Sequence, residues 1–362
     1  MKILRPISIL ISCLMLTANA AAQISLTPPG AADTPPAADK PAAKPKAKPP
    51  AVAKKPPAPA ATAKPAPPVA APVATVAPAS APDDPNADLV YGAYQRGQYK
   101  TAFDLASKRA QDFSDPKAMT MLGELYANAM GVKRDYAKAA DWYKRAADGG
   151  DREGMFALAM LRLSGRGSPV NREEAVKWLA SSAKLGNPKA AYNLALLYLD
   201  GQTLPQDLMR AAELLRAAAD AGNPEAQYAL ATFYKEGTGV PKDLDKAVRL
   251  LQAASLADNV DAEVEYAIAL YNGTGTPKNE AAAVALLRKA AKQNSPIAQN
   301  RLARVLLSGQ GATMDKVEAL KWHIIAKTAG KGDPTLDEAL ATLSAEDRAK
   351  AQDGARIWLG NK

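Results

Sequence analysis

Cysteine is nearly absent from this chain of 362 residues: there is one, Cys13. A single cysteine excludes an intramolecular disulfide framework and any zinc site built from cysteines. Histidine is equally scarce, with His323 alone, so no histidine pair is available to a metal and no metal site is expected. Phe, Trp and Tyr supply only 6% of the residues although 48% are hydrophobic, so alanine carries much of the apolar content. Few aromatics and 28 prolines argue against a β-sandwich or a doubly wound α/β enzyme. No catalytic constellation is present, and the Gly-x-Gly turns lack the preceding strand of a phosphate-binding loop. The chain therefore reads as a non-enzyme without a cofactor.

What is there falls into three compositional zones. Residues 1–22 read as a secretory signal: Lys2 and Arg5 form the charged start, Ile7 to Leu16 the apolar run, and Ala18-Asn19-Ala20 the cleavage site. The apolar run is too short to span a bilayer, which needs about 20 residues. Cleavage after Ala20 or Ala22 leaves a mature chain without cysteine, which suits an oxidising periplasm. Leu10-Ile11-Ser12-Cys13 superficially matches a lipobox, so a lipoprotein anchored at Cys13 is the rival reading. Against it, few apolar residues precede Cys13 and the run continues beyond it.

Residues 23–86 hold 18 of the 28 prolines. Without periodic large apolar side chains such a segment cannot offset its ordering entropy, and a disordered, polyproline-II-biased linker is expected. Its seven Lys face four Asp, a net +3. The plain reading is a solvated, self-repelling linker. The sharper one is attraction to an anionic cell-envelope polymer or to lipid headgroups. Nucleic acid fits poorly with export and with so few aromatics near the lysines.

Residues 87–331 carry an internal repeat. At a period of 36, ungapped blocks start at Pro116, Arg152, Pro188, Pro224, Val260 and Pro296. The seventh position reads Leu122, Leu158, Leu194, Leu230, Tyr266 and Leu302, and the eighth is always Gly or Ala. The spacing predicts a helix with one apolar stripe that a neighbour can approach closely. A Gly-x-Gly loop follows, as in Gly237-Thr238-Gly239 and Gly273-Thr274-Gly275. Then come Asp135, Asn171, Asp207, Asp243, Asn279 and Asp315, read as N-caps of a second helix, with Glu174 and Glu318 placed to complete capping boxes. The second helix carries Ala139, Trp142 and Ala146 and their equivalents on one face, and its tryptophans Trp142, Trp178 and Trp322 are assigned to the core. His323 is assigned to packing or to the rim. Residues 87–115 read as a shortened leading unit, and residues 332–362 as C-terminal capping helices, the last opening at Ser344.

These columns resemble the Sel1-like repeat family, relatives of the tetratricopeptide repeats. The pattern is clearest over Ala118–Gly150 and Ala226–Ser255. Ala129 and Thr203 depart from it at loop glycines, and the displaced Leu270-Tyr271 pair puts the register of block five in question. The resemblance implies an all-α, right-handed α-solenoid of helix–loop–helix repeats. It further implies a scaffold or adaptor that binds proteins, in exported members sometimes restraining a membrane sensor kinase. By the same analogy, positions five and nine of each block face the concave side. There Phe156, Tyr192, Tyr228 and Arg304 are the candidate partner-binding residues, with packing between repeats as the competing reading for the rings. The leading function is a periplasmic protein-interaction scaffold, regulating a membrane sensor or an envelope assembly. The alternative is a structural linker touching peptidoglycan through its Lys/Pro segment.

Overall fold

The computed structural model describes residues 88–360. The expectations for residues 1–22 and 23–86, including the signal, Cys13 and the lysine-rich linker, lie outside the described residues. Sixteen α-helices and no strand occur among the described residues. A leading pair is formed by α1 (Leu89–Gln95) and α2 (Tyr99–Phe113). Six repeats follow: α3 (Pro116–Asn128) with α4 (Tyr136–Asp148), α5 (Arg152–Ser164) with α6 (Arg172–Lys184), and α7 (Pro188–Asp200) with α8 (Leu208–Asp220). The array continues with α9 (Pro224–Glu236) and α10 (Leu244–Leu256), α11 (Val260–Asn272) and α12 (Glu280–Lys292), then α13 (Pro296–Ser308) and α14 (Lys316–Thr328). It ends on α15 (Pro334–Ala341) and α16 (Ala345–Gly360). Each helix of the six repeats packs on its chain neighbours, so the expected α-solenoid is the observed architecture. No helix among the described residues is long and apolar enough to cross a membrane.

Capping fixes the length of every repeat helix at 13 residues. The six acids and amides expected to cap second helices all do so, each accepting from the N–H three residues on. Asp151, Asn187, Asn223, Asn259 and Ser295 cap the first helices in the same manner, and Asp115 does so through the N–H two residues on, that of Lys117. Each such bond satisfies an orphan donor and is worth about 1 kcal/mol. The register of block five is intact, because Asn259 and Gly273 close α11 where their equivalents close the others. Leu270 and Tyr271 are both buried there.

The capping boxes do not form as expected. A box needs the cap residue's own N–H, and in every repeat that N–H already donates to a first-helix carbonyl, such as Asn171 to Arg162 and Asp315 to Leu306. Glu174 instead accepts from Arg162 Nε at 2.9 Å and Trp178 Nε1 at 3.3 Å. Glu318 likewise accepts from Arg288 at 2.5 Å and Trp322 at 3.1 Å. Burial alone would raise the Glu318 pKa, but these donors outweigh it and hold the carboxyl below its ordinary value.

The core column of the second helices is also displaced by one residue. Tyr143, Leu179, Leu215, Leu251, Leu287 and His323 are buried between their Ala139-type and Ala146-type neighbours. Trp142 and Trp178 are only half-buried, whereas Trp322 is in the core. Arg145 lies over the Trp142 ring and Lys144 over Trp178, as cations do on ring faces that solvent reaches.

The second loop glycine ties each repeat to the one before it. A Cβ on Gly167 would overlap the Tyr136 carbonyl, and one on Gly239 would overlap that of Leu208. Both glycines have positive φ, so conformation and space demand the same residue. Thr203 occupies the equivalent point in the third repeat and is not in that conformation. At the far end, α15 and α16 close the array on α14. Leu336 and Leu340 are buried, and Trp358 meets Trp322 edge to face at 5.2 Å. Ser344 opens α16 by accepting from the Asp347 N–H.

Candidate partner-binding face

Successive first helices are laced together by side chains along one face. Thr120 on α3 donates to Asp151, the cap of α5, at 2.6 Å. Lys235 on α9 pairs with Glu265 on α11 at 3.0 Å. Arg304 on α13 pairs with Asp333, the buried cap of α15, at 2.6 Å. Position five of the first repeat thus reaches the cap of the next first helix.

Phe156, Tyr192 and Tyr228 lie at equivalent points of consecutive first helices. Phe156 packs against the cluster of Ala159, Ala190 and Leu194. Tyr192 packs against the cluster that includes Ala226 and Ala229, and Tyr228 against Ala231 and Ala262. Each ring therefore fills a junction between repeats, and each stays partly exposed. The column changes character at Val264, which is buried, and at Asn300, which donates to the Lys331 carbonyl. At position nine, Leu196 is buried and Glu124 is engaged by Tyr143 and Asn128. Arg304 is held by Asp333, a partner 29 residues away at the start of the closing helix.

The field along the ring column is negative. Burial and Glu225 push the Tyr192 hydroxyl up to about 12. Burial, then Glu265, Asp261 and Glu236, push that of Tyr228 up further. Burial and Glu265 also raise the Asp261 carboxyl. A groove of about 620 Å³ continues the face toward the start of the array, with Tyr91, Tyr94, Thr120, Met121, Lys117 and Lys189 among its lining residues. Tyr91 and Tyr94 stack at 6.5 Å between centroids. Sequence reasoning missed this pair, although two tyrosines three apart on the leading helix were a visible signal. Among the described residues no group of His, Cys, Asp and Glu could hold a metal ion.

Such an array, helix pairs stacked in register, defines a helical-repeat solenoid of the tetratricopeptide-like class. The Sel1 repeat family matches residues 116–151, 152–187, 188–223, 224–259, 260–295 and 296–331, and the chain belongs to that family. It is similar to a protective antigen present in uropathogenic Escherichia coli strains that displays an SLR fold. The identity is 27% and the TM-score 0.64, over 75% of this chain and 59% of the antigen. A Sel1 repeat protein from Oxalobacter formigenes is 27% identical with a TM-score of 0.57, over 67% of this chain and 97% of that one. No curated protein matches the chain at a significant level. Sel1 repeat proteins are generally protein-interaction scaffolds that bind protein partners, and their solenoid is typically non-catalytic.

Proposed function

We propose that this protein is an exported, periplasmic scaffold that holds an extended segment of an envelope partner along its first-helix face, without catalysing a reaction. The observation that carries this reading is the column Phe156, Tyr192 and Tyr228, three partly exposed rings at equivalent points of consecutive repeats. Aromatic side chains anchored at one edge and open at the other are the residues on which interfaces concentrate their energy. The secretory features of residues 1–22 supply the compartment, and a structural neighbour that is a protective antigen accords with it.

The test is in-cell crosslinking followed by mass spectrometry, comparing the native chain with Tyr192→Ala. Truncating an interface anchor costs about 2 kcal/mol or more of binding. Loss of a specific crosslinked partner with an unchanged melting temperature supports the face. A large fall in melting temperature assigns Tyr192 to packing alone. Retained crosslinks at retained stability move the site off this face.

A further inference from the structure

We infer that the partner segment held between Tyr192 and Tyr228 carries lysine or arginine. This deepens the preceding reading and rests on it. Three observations converge. The register of the repeats sets Glu225 in the first turn beside Tyr192, and Asp261 in the first turn beside Tyr228, as Glu153 stands to Thr120 in the groove that both line, with Glu265 one turn further along the same helix as Asp261. Of these acids Glu265 is paired with Lys235, whereas Glu225 and Asp261 present surface carboxylates. After burial, the charges that act on both hydroxyls and on Asp261 are those of acids, Glu225, Glu236, Asp261 and Glu265, and each raises the pKa.

A partly exposed phenol ring beside a carboxylate is suited to one chemistry above others. The ring face attracts a cation, the acid pairs with it, and the stem of a lysine or arginine covers the ring. An acidic segment would meet like charge on a partly desolvated surface, where repulsion is strong. The two tyrosines are one repeat apart, so an extended segment with two spaced cations engages both. The occupant is thus a basic, extended polypeptide segment of a partner protein. The same face discriminates against acidic segments.

The experiment uses the purified full chain and three fluorescein-labelled ten-residue peptides of alternating Ala-Lys, Ala-Gln and Ala-Glu, read by fluorescence anisotropy. The Ala-Lys peptide is expected to bind, the Ala-Glu peptide not to bind, and added salt to weaken the complex. The double variant Glu225→Gln, Asp261→Asn keeps the shape of both side chains and should weaken Ala-Lys binding by about tenfold or more. Equal binding of the Lys and Glu peptides, unchanged affinity in the double variant, or no binding by any peptide overturns the inference. If Ala-Gln binds and needs Tyr192 while the acids do not matter, the face stands and its basic preference falls. If Ala-Lys binds Tyr192→Ala and the native chain alike, with unchanged melting temperature, the face falls as well. A full chain with Lys44, Lys46 and Lys48 changed to Gln that binds Ala-Lys about tenfold tighter would assign the face to this chain's own lysines instead.

Discussion

Gly123 lies directly beneath the ring of Tyr143: a Cβ at Gly123 would stand 2.5 Å from Tyr143 Cδ1. The other five repeats carry Ala at this point, and four of them carry Leu in place of the tyrosine. The two departures therefore belong together. The larger ring in the first repeat is accommodated by removing a methyl from the facing helix, and its hydroxyl donates to Glu124 at 3.0 Å.

Gly123→Ala should destabilise the protein by about 1–3 kcal/mol through overpacking, despite the better helix propensity of alanine. Adding Tyr143→Leu should recover most of that loss, because the pair then matches the second to fifth repeats. Thermal melts of the two single variants and the double variant form a cycle. Additive effects would show that the residues do not face one another.

Ala129 closes α3 at φ 58°, where five repeats have glycine. A Cβ in the left-handed region costs about 1–2 kcal/mol. Ala129→Gly should therefore raise stability by roughly 1 kcal/mol, read as a higher melting temperature. A lower one would mean that the alanine methyl makes packing contacts of greater worth.

Glu263 is wholly buried on α11, with Lys289 at 2.6 Å as its cation. Its equivalents Gln227 and Gln299 each donate to a carbonyl of the preceding second helix, that of Ala219 and of Ala291. A carboxylate cannot donate, so the corresponding carbonyl of Ser255 goes without this bond. Glu263→Gln should be neutral or stabilising by up to about 1 kcal/mol, since an amide replaces a buried charge. A loss of several kcal/mol in a denaturant titration would instead make the ion pair essential.

Asp337 binds both His323 Nε2, at 2.8 Å, and Lys327 Nζ, at 2.9 Å, joining α15 to α14. Those hydrogen bonds hold its carboxyl below the ordinary range. A depressed folded value gives stability that is complete above the unfolded value, about 3.9, and is lost as pH falls through the lower folded one. The melting temperature of the native chain should therefore drop more steeply than that of Asp337→Asn on acidification from about pH 5 to pH 2. Parallel profiles would show that the latch carries no linked proton.

Much of the array was legible because it rests on local chemistry repeated six times. Caps such as Asp243 and turns such as Gly222-Asn223-Pro224 announce helix ends within a few residues, and the period sets them in register. What escaped was decided by competition or distance. Ala139, Trp142, Ala146 and Ala139, Tyr143, Ala146 both satisfy helical spacing, and only packing selects the second. The Glu174 and Glu318 boxes failed because a first-helix carbonyl had already taken the cap N–H. Arg304 was read as a binding residue because Asp333, its partner, lies in a segment outside the repeat. On the candidate face, the ring column could be read from the sequence. The acids beside it could not, because they lie on the next repeat.

The loop glycine that nests on the preceding helix also bears on how such a chain changes length. At Gly167 the contact is with Tyr136, and at Gly239 with Leu208, so each half of the joint recurs at the same offset. Excising or duplicating one 36-residue block carries a socket out at one end and supplies an equivalent socket at the other. The array can therefore be shortened or extended by unequal recombination without an unmatched junction. The third repeat, with Thr203 in place of the glycine, is the block whose relocation would leave a mismatched seam.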